Sequence, residues 1–185
     1  MTARARKLGP AAVLASVLAV SVGVAACGSS PADPGEQGDV VVAFSSSFVG
    51  FHSWETFFLT SEPIASSPHT SGPRTVYLNK RPPTGSTSFP VGTIIVKELT
   101  APDDTKNTFA MVKRGGGYNA AGATDWEWFE LVPGSDQAIS IIWRGVGPPV
   151  GEKYGGDPNG GCNGCHANAK ANDFVQATPL SLSSF

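Results

Sequence analysis

The chain has 185 residues, a formal net charge of −2 and 41% hydrophobic residues, with only 15% charged. Its 22 Gly and 15 Pro argue against an all-helical bundle. The acidic balance, with no basic cluster beyond the first few residues, makes nucleic acid and anionic lipid surfaces poor partners.

Arg4, Arg6 and Lys7 form a positive N-terminal stretch, and a mostly apolar run from Ala11 to Ala26 ends in Val24-Ala25-Ala26-Cys27. This is the pattern of a signal peptide closed by a lipobox. Residues 1–26 are therefore expected to be removed, leaving Cys27 as the lipidated first residue of a lipoprotein in a bacterial cell envelope. The run is short for a bilayer span, which disfavours a transmembrane anchor. Loss of those three cations, with no acid beside them, takes the formal charge from −2 to −5. Residues 27–38 then comprise the lipidated cysteine and a flexible tether rich in Gly, Ser and Pro, and residues 39–185 are long enough for one domain with its own core. Membrane attachment is thus expected through the lipid alone.

Within the domain the hydrophobic period is mostly two. Arg74–Leu78, Gly92–Leu99, Thr108–Val112, Asp125–Leu131 and Ala138–Trp143 are short, rich in β-branched and aromatic residues, and separated by Pro, Gly, Ser and Asp. They predict a mainly β domain, an antiparallel sheet with a few short helices. Helix is predicted only over Phe51–Phe58, with Ser53 as a cap, and from Cys162 through Ala171.

Cys162-Asn163-Gly164-Cys165-His166 closes the pattern. C-x-x-C-H is the spacing for covalent attachment of one c-type haem, in which two thiols add across the haem vinyls and the adjacent His ligates the iron. Three other readings of the thiols stand beside it. A structural zinc site wants four ligands, and the third cysteine, Cys27, is accounted for by the lipobox. A thioredoxin-like pair belongs in a βαβ pattern that is absent here. A simple Cys162–Cys165 disulfide is compatible with export but leaves His166 without a role. The 19 residues after His166 contain no Met, unlike small cytochromes c with an early motif and a later Met ligand. The cytochromes c′ carry a late motif on a four-helix bundle, which the β pattern excludes.

From Phe51 to Pro179 the chain resembles the cytochrome P-460 family, which includes the cytochromes c′-beta. The residues that carry the resemblance are Trp54, Arg74-Thr75-Val76-Tyr77, Phe89–Leu99 with its Gly-Thr-x-x-x-Lys-Glu segment, Val112-Lys113, Asp125–Phe129 and the C-terminal haem motif. The segment from Tyr77 to Phe89 is short for the family, and Arg114-Gly115-Gly116-Gly117 has no counterpart in it. The resemblance implies haem c held by Cys162, Cys165 and His166, with a further bond from the Lys97 side chain to the porphyrin edge. It also implies hydroxylamine or NO as the small molecule, an electron-transfer partner protein of unknown identity, and a homodimer.

On a strand Thr93, Ile95, Lys97 and Leu99 share one face. Lys97 therefore either interrupts an apolar stripe facing the haem, costly unless neutral or bonded, or faces solvent on an edge strand. Met111, His52 and His69 are the conceivable sixth ligands. Met111 reads as core and the two histidines as surface residues, which leaves the iron open to an added ligand. Trp126, Trp128 and Glu130 share a strand face, and Glu130 is the candidate proton acceptor for bound hydroxylamine. Ordinary core tryptophans and solvent-facing glutamates are the alternative. A carboxylate at the open side of the iron favours hydroxylamine oxidation, an apolar wall favours a gas-binding cytochrome, and an endogenous sixth ligand favours electron transfer.

Overall fold

The computed structural model describes residues 39–59, 73–100, 104, 106–149 and 161–185, all within the compact unit Glu36–Phe185. The expected signal peptide, Cys27, the tether and His69 lie outside the described residues. Six strands follow one another in chain order across one antiparallel sheet: β1 (Glu55–Leu59), β2 (Arg74–Leu78), β3 (Ile94–Thr100), β4 (Lys106–Lys113), β5 (Trp126–Pro133) and β6 (Ile139–Gly145). The domain is mainly β, as the alternation predicts. The helical elements are short 3₁₀ turns and one α-helix, α1 (Cys162–His166), which continues as a 3₁₀ segment over Ala167–Asn172.

Both faces of the sheet are covered. On one, Ala43, Phe48 and Phe51 from the N-terminal segment pack against Tyr77, Ile94, Val96, Ala110, Val112, Phe129, Leu131 and Ile139. On the other, Phe89, Phe174, Val175, Leu180 and Leu182 pack against Val76, Leu78, Ile95, Met111, Trp126, Trp128 and Trp143. Double coverage explains why β3 is buried almost throughout, where a sheet with one wet face would alternate. The N-terminal segment is fastened by Val41, whose N–H donates to the Arg114 carbonyl at 2.9 Å. A Cβ on Gly115 would overlap the Asp39 carbonyl oxygen, and its φ of +76° favours glycine as well.

The helix predicted over Phe51–Phe58 is not formed. A single 3₁₀ turn, Phe51–Ser53, gives way to β1 at Glu55. Ser53 turns its hydroxyl back to donate to the Gly50 carbonyl at 2.8 Å instead of capping a helix. Pairing of all five β1 residues with β2 satisfies the backbone of a run whose aromatic residues suit a strand at least as well as a helix.

A β-bulge alters the last strand. Glu130 pairs with Trp143 but Leu131 with Ile141, so Ile142 is left over and is exposed. The extra residue re-aims Trp143. It joins the Trp128 face, while Ile139 and Ile141 pack on the opposite one.

Candidate functional site

The register fixes what faces α1. Across the sheet, Phe57, Val76, Lys97, Phe109, Glu130 and Trp143 stand directly opposite one another, strand by strand. The neighbouring row on the same face is Leu78, Ile95, Met111 and Trp128. Lys97 therefore emerges among apolar neighbours on the face that carries the C-terminal segment, as one of the two strand readings expects. It is half-buried. Glu130, two strands from Lys97 in the same row, accepts a hydrogen bond from Trp143 Nε1 at 2.7 Å.

The two thiols of α1 are free and half-buried. Burial pushes the Cys162 thiol up to about 12, against the opposing pull of the positive charge on Lys97. His166 lies with its ring 4.5 Å from the Trp128 ring. Its pKa is lowered to about 4, mainly by burial and then by the positive charge on Lys97, while the contact with the Phe174 carbonyl opposes both. His166 Nδ1 is 2.6 Å from that carbonyl oxygen, an acceptor only, so Nδ1 carries the hydrogen and Nε2 of the neutral ring keeps its lone pair. Lys97, more than 60 residues earlier in the chain, thus bears on both Cys162 and His166 of α1.

Asn163, inside the motif, docks α1 on the sheet. Its Oδ1 accepts from Trp128 Nε1 at 2.8 Å, Asn119 Nδ2 at 2.8 Å and the Ala123 N–H at 3.3 Å. Its Nδ2 donates back to Asn119 Oδ1 at 2.9 Å. Gln176 Nε2 donates to the Cys165 carbonyl and lies 3.5 Å from the Cys165 sulfur. Neither residue was marked by periodicity or motif chemistry, because the positions between the cysteines carry no rule of their own.

The remaining candidates separate clearly. Met111 is buried in the core beside Trp128, its partner on the neighbouring strand. His52 lies on the opposite side of the sheet, exposed, with Nε2 3.1 Å from buried Glu98. Glu127 is not solvent-facing. It is buried on that opposite face, where it accepts from Arg144 Nε and Nη2 at 2.7 and 2.8 Å and from Arg114 Nη1 at 3.1 Å. The Arg114 side chain thus serves the face away from α1. Among the described residues no group of three or more His, Cys, Asp or Glu is placed to hold a metal ion. Comparisons with protein-family models, curated proteins and solved structures found no match.

Proposed function

We propose that this protein is an exported c-type mono-haem cytochrome similar to the cytochromes P-460, with haem bonded through Cys162 and Cys165, ligated by His166, linked to Lys97, and open to hydroxylamine or NO. The observation that carries the reading is the register that sets Lys97 on the sheet face packed by the C-terminal segment, where His166 is held through its Nδ1. The residues present fit such a group. The thiols are free, the imidazole is neutral and held by its Nδ1 hydrogen, and the facing sheet is apolar and aromatic.

Once bound, the haem would supply an electron-accepting iron with a free position for a small nitrogen ligand. The chain supplies the rest. Cys162 and Cys165 would hold the group by thioether bonds, each S–H adding across a vinyl group, sulfur to one carbon and hydrogen to the other, with no oxidant needed. The Phe174 carbonyl holds His166 in one tautomer and orientation, which raises its basicity as a ligand. Trp128, Met111 and Ile95 keep water from the face they cover. Glu130 takes a proton from hydroxylamine as it is oxidised, and an external redox protein takes the electrons. Attachment to the cell envelope follows from lipidation of Cys27.

One observation favours a second reading, a gas-binding cytochrome of the c′-beta kind. The Glu130 carboxylate already accepts the Trp143 indole hydrogen, so one of its oxygens is committed to holding the tryptophan. The test is Glu130→Gln in the haem-loaded protein, assayed for hydroxylamine oxidation with a dye acceptor. Loss of a general base is expected to lower kcat by about 100-fold or more with hydroxylamine still binding. Equal rates in the two proteins remove Glu130 from the chemistry, and NO binding without turnover in the wild type selects the second reading.

A further inference from the structure

Two successive residues that are not glycine, Asp173 (φ 50°) and Phe174 (φ 65°), adopt the left-handed region. A bulky residue there is an outlier, and such positions persist where their surroundings enforce them. The enforcing contacts are specific. The Asp173 carboxylate accepts from Lys113 Nζ at 2.7 Å and from the Phe89 N–H at 2.9 Å. Lys113 and Asp173 are 5% and 9% exposed, and Lys113 Nζ also lies 5.1 Å from the Trp126 ring centre. The Phe174 ring is buried, and its N–H donates to the Ala169 carbonyl at 2.9 Å.

A buried ion pair adds little net stability over an apolar pair of the same volume, so its role lies in what it orients. The turn it holds aims the Phe174 carbonyl at His166 Nδ1. We propose that the Lys113–Asp173 pair is a positioning device for the proximal ligand, fixing the His166 hydrogen bond and through it the reduction potential of the iron. The inference rests on the haem reading above. A firm Nδ1–H···O=C bond makes the imidazole a stronger donor and favours ferric iron. A slackened turn weakens that bond and favours ferrous iron.

The test uses full-length, haem-loaded protein and two readouts, redox titration and the iron–histidine stretching band of the ferrous form by resonance Raman. Asp173→Asn and Lys113→Met are expected to lower the ferric-to-ferrous ratio at fixed poise about tenfold, which is about 59 mV upward for a one-electron couple, and to shift the stretching band to lower frequency. Lys113→Arg should restore both. Should the single variants not fold, Lys113→Met/Asp173→Leu replaces the pair by apolar groups, and the same upward shift is expected. Haem-loaded variants with unchanged potential and band overturn this inference alone. Wild-type protein that holds no covalent haem overturns the haem reading and this inference together.

Discussion

Lys97→Leu is expected to keep haem attached through Cys162 and Cys165 while returning its absorption to that of an ordinary c-type haem. The reason is the position of Lys97 in the sheet. It stands between Val76 and Phe109 on the face packed by Phe89, Phe174 and Val175, the face that carries the C-terminal segment. A covalent bond from its nitrogen to the porphyrin edge, made with loss of one amine and one ring hydrogen to a two-electron oxidant such as peroxide, would remove the ammonium charge and alter the electronics of the ring, the main lever a protein has over a cofactor's chemistry. Leucine has similar bulk and cannot form the bond, so the thioethers should survive and only the spectrum should revert. A variant spectrum identical to the wild type would mean that Lys97 forms no bond to the ring.

The second large effect falls on Asn163. Replacing it by leucine removes the acceptor for Trp128 Nε1, Asn119 Nδ2 and the Ala123 N–H together. Each donor left without a partner costs about 1–3 kcal/mol, so a loss of roughly 3 kcal/mol in unfolding free energy is expected. In a domain of this size that lowers Tm by roughly 10 °C. Gly122→Ala should act through the same contact, because a Cβ there would overlap the Asn163 amide. Thermal unfolding of the two variants, singly and combined, checks the argument. Their effects should be strongly less than additive, since each displaces the same side chain. Asn163→Leu with wild-type stability would mean that α1 is docked by other contacts.

The sheet was readable because β2 to β6 are short runs rich in β-branched and aromatic residues, set apart by turn residues. β1 was not, because Phe51–Phe58 is too short and aromatic for period alone to separate strand from helix. Trp143 shows a subtler limit. Strict alternation groups it with Ile139 and Ile141, and only the unpaired Ile142 turns it toward Trp128. The thiols and His166 were marked by their spacing and Lys97 by an interrupted apolar stripe. Asn163 and Lys113–Asp173 were not marked, since their partners lie 44 and 60 residues away. Such contacts depend on which elements the fold brings together, which no local pattern encodes.

The most direct test of the haem assignment is the purified, haem-loaded protein itself, its ferric and reduced absorption spectra taken beside intact mass after denaturation. The account requires one haem retained by the denatured chain, with a Soret band shifted strongly to the red and a denatured haem assay that departs from ordinary haem c. A chain whose mass after denaturation shows no haem would contradict it.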